Sequence, residues 1–298
     1  MMSFVRDALT WVDTGAVAYP ALHQHIIELT MPALVVKRLL PEFPLVAGRT
    51  ATFTKEKGSR SIGISAISEA TEIPMDFTPL DYVTVTPYKK GERVRVPREQ
   101  IEDLYIPVIE QQLRRLARRV AFQIDKDCLT CIDGAAANSI TATGTTMGAT
   151  GTEFTVSGGT GTKDILKAEA IIGSYNFVAD SLLVNPINAR DLRYLPNFSL
   201  ISQYGEPVVE SGNLGKVYGF DFYVSNVVSA GTAYLLSTGK NLSGSYAPLG
   251  FFVIKRPLLS DLDIKKEFDS IDVSLTTRFA PVVTCGEAIV KITGLAAT

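Results

Sequence analysis

Ile109, Leu113, Leu116, Val120 and Ile124 recur every three or four residues, so at about 100° per residue they form one apolar stripe of a helix. Arg114, Arg115, Arg118 and Arg119 fall on the opposite side of the same stretch, QQLRRLARRVAFQIDKD. The pattern predicts a long helix over 97–137, with Pro97 in its first turn and Glu99, Glu102 and Asp103 near its positive end. Pro107 kinks or restarts it. Before it, two stretches alternate with period two. RTATFTKEKGSRSIGISAIS places Phe53 before a charged turn and Ile62 and Ile64 after it. DYVTVTPYKKGERVRVP places Val83 and Val85 before a turn at PYKKGE and Val94 and Val96 after it. Both read as hairpins. The first is polar and poor in large apolar residues, so it must lean on something else.

Residues 1–48 are split by Pro20, Pro32, Pro41 and Pro44, which suits an extended arm. PALHQHIIELT, with Leu22, Ile26 and Leu29 on one side, is the exception and reads as a short helix. Between 134 and 162, 23 of 29 residues are Gly, Ala, Thr or Ser, which predicts a loop or a weak exposed hairpin rather than core. TKDILKAEAIIGSYNF then reads as a helix, DSLLVNP as a buried strand and INARDLRYL as a short helix. YGFDFYVSN and TAYLLST read as strands, and the end of the chain is strand-rich. The mixture is an α+β class without sequence repeats.

Charge narrows the function. Formal net charge is −2 over 298 residues, and the halves are alike: 17 basic and 17 acidic residues in 1–149, 12 and 14 in 150–298. A dedicated nucleic-acid binder carries a large basic excess somewhere. Residues 98–127 hold six basic and six acidic residues, so the arginine helix is balanced. Of the three uses of such a face (DNA phosphates, a membrane surface, or carboxylates of a protein neighbour), the balance points to the third. No run of 18 apolar residues predicts a membrane span, and Arg6, Asp7 and Asp13 interrupt the N-terminus as a signal peptide would not be interrupted. These features suit a soluble protein of a cytosol-like compartment.

Candidate chemistry is sparse. His23 and His25 form an HQH pair with no nearby partner to complete a metal site. Cys128 and Cys131 form a C-x-x-C near the C-terminal end of the helix, where the dipole does not favour a thiolate, so packing is the expected role. Three cysteines argue against a disulfide framework. SGGTGTKD lacks Gly-Lys, and STGKN has Tyr234 where a phosphate loop needs its first glycine. No G-x-S-x-G elbow is present. The expectation is a protein that is not an enzyme and binds no cofactor or metal.

The order of elements resembles the major capsid proteins of tailed double-stranded DNA viruses, the Hong Kong 97-type fold, over about residues 30–298. The resemblance is carried by Ser68-Glu69 to Pro74, Phe77, the lysine-bearing Lys89-Lys90, an acidic helix start and a long helix ending near Ile124-Asp125. LLVNP, GFDFYVSN and DVSLTTRFAPVVTCGEAIVKITG add to it. The resemblance implies an N-terminal arm (1–48), an E-loop with flanking strands (49–96) and a spine helix with peripheral domain (97–163). It further implies an axial domain (164–255) and return strands of the peripheral domain (256–298). It implies self-assembly into hexamers and pentamers of an icosahedral shell, a virion protein assembled in host cytoplasm. The shell would meet packaged double-stranded DNA only non-specifically and would not meet a membrane. Because the chain begins almost at the arm, scaffolding is expected from a separate protein, or the chain is the mature form; a portal is the other expected partner. Candidate subunit-contact residues are Lys55, Lys57, Arg60, Glu69, Glu72, Arg114, Arg115, Arg118 and Arg119. Lys55 and Lys57 stand where some members cross-link a lysine, but no matching asparagine or acid is evident, so that chemistry is not carried over. Encapsulin shells, which enclose an enzyme cargo, share the fold and remain the alternative; a soluble α+β enzyme is the reading from another class.

Overall fold

The computed structural model describes residues 34–55, 81–97, 99, 108–142, 161–194, 216–239 and 248–295. The first element among the described residues is a 3-10 turn, Val36–Leu39, whose Val36 and Leu39 are buried. Strands β1 (Glu42–Pro44), β2 (Ala51–Lys55), β3 (Asp81–Val85) and β4 (Tyr88–Pro97) follow, then helix α1 (Val108–Ala135). Next come β5 (Asn138–Thr141), α2 (Gly161–Ser174), β6 (Ser181–Val184), α3 (Pro186–Tyr194), β7 (Lys216–Val217), β8 (Phe220–Val224) and β9 (Thr232–Leu236). The chain ends in two long strands, β10 (Gly250–Lys265) and β11 (Ser270–Val283), and the short β12 (Ile289–Thr293).

The strands form two main sheets. One has four strands in the order β1-β10-β11-β4, the other six in the order β5-β12-β9-β6-β8-β7. Helix α1 packs on β11 and β4 of the first sheet. Its expected stripe is buried at Leu113, Leu116, Val120 and Ile124, and the stripe continues through Cys128 to Ile132. One continuous apolar core joins that helix to both sheets.

The four-stranded sheet separates its residues by parity, as a pleated strand must. Phe252 of β10 and Phe279 of β11 face the α1 side, with ring centroids 5.0 Å apart. Phe251, Val253 and Val282 face the other side, where the paired strands β2 and β3 rest on them. Strand β10 was not read from the sequence. Pro257 interrupts it, and the β10–β11 register shifts between Ile254 and Arg256 and again between Arg256 and Leu259. A proline has no N–H for the ladder, so a register irregularity is where a sheet tolerates one.

Several expectations are corrected. Strand β2 pairs with β3, Ala51 opposite Val85 and Lys55 opposite Asp81, a pairing that the two separate hairpins did not include; the residues around Ile62 and Ile64 lie outside the described residues. Lys89-Lys90-Gly91 is not a hairpin turn but the first half of β4, which pairs with β11 from Tyr88 to Pro97. Gly91 is needed there for close approach: a β-carbon would collide with the Leu275 carbonyl oxygen. Within the low-complexity stretch, β5 joins the six-stranded sheet and buries Ile140. The strands of residues 256–298 divide between the two sheets. Of the final segment, β11 and most of β10 belong to the four-stranded sheet, but β12 pairs with β5 and β9 of the other.

Candidate assembly surface

Because the α1 stripe faces inward, Arg114, Arg115, Arg118 and Arg119 are exposed on the opposite face. For Arg119 the partner comes from β4. Arg119 Nη1 lies 2.7 Å from Glu92 Oε1, and the two side chains remain 69% and 28% exposed. Such a pair contributes about 0–1 kcal/mol. About two turns further on, Lys90 pairs with Asp127, which also accepts a hydrogen bond from Gln123 Nε2 at 2.9 Å. Arg115 and Arg118 meet no acidic partner among the described residues. Lys55 is exposed at the end of β2. Lys57, Arg60, Glu69 and Glu72 lie outside the described residues, as do His23 and His25.

Two carboxylates that were not singled out as contact candidates organise the scaffold under this face. Asp125 is only 2% exposed. Its Oδ2 accepts the Val35 N–H at 2.8 Å and its Oδ1 the Lys37 N–H at 3.0 Å, tying the 3-10 turn to α1. Burial raises the Asp125 pKa, and the backbone N–H groups of Val35, Lys37 and Val36 together with Arg38 only partly offset it. Asp272 on β11 is 1% exposed and sits directly opposite Arg95 on β4. Arg95 donates twice to it, Nε to Oδ1 at 2.7 Å and Nη2 to Oδ2 at 3.0 Å, and Arg93 approaches to 3.4 Å. The Arg95 hydrogen bonds hold the Asp272 carboxyl below its ordinary range. Arg95 also lies 4.6 Å over the Phe268 ring.

The base of the β2–β3 pair is also fixed to its own chain. Phe53 stacks on Phe251 at 4.7 Å, and Phe43 meets Phe53 edge-on at 5.2 Å. Ala51 is buried with Val253 and Val282. The polar hairpin expected to lack support therefore has it at its root.

Cys128 and Cys285 are buried, Cys131 is half-buried, and all three are free thiols. Burial pushes the Cys128 and Cys131 thiols up, and Asp125 adds to the effect on Cys128. A raised thiol pKa leaves little thiolate, so these cysteines are packing residues. Among the described residues no cluster of His, Cys, Asp and Glu is placed to hold a metal ion, and no helix is long and apolar enough to cross a membrane.

A half-open cleft of about 1120 Å³ lies alongside the arginine face. Its walls are α1 from Arg118 to Asp125, the start of β4, Thr277 and Phe279 of β11, and Val224 to Val227 at the end of β8; Val35 also lines it.

The family model described as phage capsid protein matches residues 81–292, from the first residue of β3 to the penultimate residue of β12. Among solved structures, the chain is similar to the capsid of the cyanophage P-SCSP1u, with 13% identity, 87% of each chain covered and a TM-score of 0.65. It is similar to a phage-related protein of Bordetella bronchiseptica RB50, with 16% identity, 94% and 98% of the two chains covered and a TM-score of 0.64. It is also similar to a virus-like particle from Pyrococcus furiosus, with 11% identity, 93% and 100% covered and a TM-score of 0.63. At these identities the likeness concerns the fold. No curated protein matches in sequence.

Proposed function

The chain belongs to the phage capsid protein family, and from that premise we infer that it builds hexamers and pentamers of an icosahedral shell around viral double-stranded DNA. It is a structural protein of the virion with the α+β Hong Kong 97-type fold. The finer reading rests on one observation: the matched region contains a long helix that buries one face in its own core and leaves Arg115 and Arg118 exposed without an acidic partner among the described residues. In a shell, such a face would be repeated at every subunit contact that uses it. Complementary charge across repeated contacts sets register and partner choice.

In this reading α1 is the spine, the four-stranded sheet is the centre of the peripheral domain and the six-stranded sheet that of the axial domain. Residues 1–48 supply the arm, and the segment between β2 and β3 supplies the E-loop. Lys57, Arg60, Glu69 and Glu72 there, with Lys55 at the end of β2, act as contact residues toward neighbours. A separate scaffolding protein and a portal take part, assembly occurs in host cytoplasm, and DNA is met as a packed bulk. The family match supports a virus shell over an encapsulin compartment.

Purified protein, tested by sedimentation and electron microscopy, is expected to form shells or capsomers at micromolar concentration. A monodisperse monomer under all conditions overturns the assembly reading. Particles that carry an enzyme cargo and no DNA when recovered from infected cells overturn the viral reading.

A further inference from the structure

Three cations stand in one row across the four-stranded sheet. Lys89 of β4 is directly opposite Arg278 of β11, and Arg278 is directly opposite Arg256 of β10. Side chains directly opposite share a face, and like charges so placed destabilise a sheet. Phe279 points toward α1, so its neighbour Arg278 and the row lie on the other face. Both arginines are held by neutral oxygens. Arg278 Nε donates to the Pro87 carbonyl at 3.0 Å, and Arg256 Nη2 donates to Thr276 Oγ1 at 2.9 Å. Among the described residues no ion pair joins the row to an acid. Two acids further along that face are already engaged, Asp272 by Arg95 and Arg93, and Asp263 by Lys265 at 2.5 Å.

The turn between β10 and β11 has the opposite character. Residues 261–269, DLDIKKEFD, hold four acids against Lys265 and Lys266. Glu267 and Asp269 are exposed, and Phe268 between them is 60% exposed. The turn does not reach the row of its own chain: β11 is paired with β4 all the way from Ser270 to Arg278, about 27 Å at roughly 3.4 Å per residue. Next to the row, opposite Thr276, Leu259 is 40% exposed. An apolar side chain there, and the Asp261 carboxylate further along the same strand, suit a protein surface better than a phosphate backbone.

We propose that the row receives the β10–β11 turn of a second copy, with Glu267 toward Lys89, Arg278 and Arg256, and Phe268 toward Leu259. The proposal rests on the assembly reading and names one contact within it. Row and turn are different patches, so each copy offers both and the contact passes from copy to copy.

The test uses a water-soluble carbodiimide, which takes up one water as it joins a lysine amine to a carboxylate as an amide. Assembled particles of the full chain are treated and digested, and the cross-linked peptides are mapped by mass spectrometry. The expected product joins Lys89 to Glu267 or Asp269, and the separation within one chain makes that product intermolecular. Glu267→Lys, an exposed substitution, is expected to keep the melting temperature and to raise the concentration needed for assembly about tenfold. Particles in which Lys89 couples only to other carboxylates, or to none, overturn the proposal, as does an unchanged assembly threshold in the variant. A Lys89 amine shielded from acylation in DNA-filled particles and reactive in emptied ones assigns the row to phosphates and also overturns it. A chain that forms no particles refutes the assembly reading as well, whereas particles without the Lys89 coupling refute this contact alone.

Discussion

In the six-stranded sheet every residue of β6 and β9 is buried, whereas β4 of the four-stranded sheet alternates exposed and half-buried residues over most of its ten positions. At the centre of the first of these sheets, β6 and β9 read as continuous apolar runs, as expected of strands covered on both faces. The second carries Lys89, Lys90, Glu92, Arg93 and Arg95 along one edge strand, and Arg119 of α1 reaches the same edge. Charges on an edge strand also discourage uncontrolled strand pairing, which a protein handled at high local concentration must avoid. The contrast suggests that one sheet holds the fold and the other, with its helix, meets the neighbours.

Breaking the first sheet is expected to have the largest effect on stability. Leu235→Ala in β9 empties a fully buried position and is expected to cost about 2–5 kcal/mol. That is a large part of a typical total of about 5–15 kcal/mol. Urea denaturation, read as a fall in midpoint at constant slope, measures it. Asp125→Ala comes next. It leaves the Val35 and Lys37 N–H groups without their acceptor, at about 1–3 kcal/mol for a buried orphaned donor. The variant is expected to accelerate hydrogen exchange at residues 35–39 far more than in β9. Equal acceleration in both places would mean that the turn is not held by Asp125.

The same two buried acids sharpen the comparison through pH. The Asp272 pKa is lowered from 3.8, so its contribution is fully present above about pH 4 and is lost as pH falls through the lower folded value. The Asp125 pKa is raised from 3.8, so folding takes up protons there and stability declines as pH rises from about 4 to the raised folded value. Asp272→Asn is therefore expected to flatten the rise of stability out of the acid limb, and Asp125→Asn to remove the decline above it. Melting temperatures followed from pH 2.5 to 7 decide this. Matching pH profiles for the two variants would refute the opposite signs.

What was legible in the sequence follows from where the determining contacts lie. Helix α1 and strand β6 are set by local periodicity, and both were read correctly in kind. The β2–β3 pairing joins segments 25 residues apart, and nothing within either strand announces it. Gly91 was read as a turn residue because a glycine beside lysines looks like one; its reason is the backbone of Leu275, far along the chain. Asp125 appeared in the family pattern, but its partners are 88 and 90 residues away, and those of Asp272 are 177 away. The arginine face was legible as a face. Its division into Arg119, paired with Glu92, and Arg115 and Arg118, without such a partner among the described residues, needed β4 in place.

The smallest expected effect on folding comes from the face itself. Arg115→Glu plus Arg119→Glu loses one exposed pair and sets a second carboxylate beside Glu92, a change within about 1 kcal/mol. Its melting temperature should stay near that of the parent. Assembly is where the charge reversal should tell, because each contact of a shell repeats it and like charges then oppose at every copy. Sedimentation is expected to show folded subunits without particles, and raised salt should not restore them, since screening removes the parent's attraction along with the variant's repulsion. Normal particles with a reduced DNA content would instead assign Arg115 and Arg119 to the packaged nucleic acid. Normal particles with normal DNA would show that neither use of the face matters, and that the four-stranded sheet meets its neighbours elsewhere.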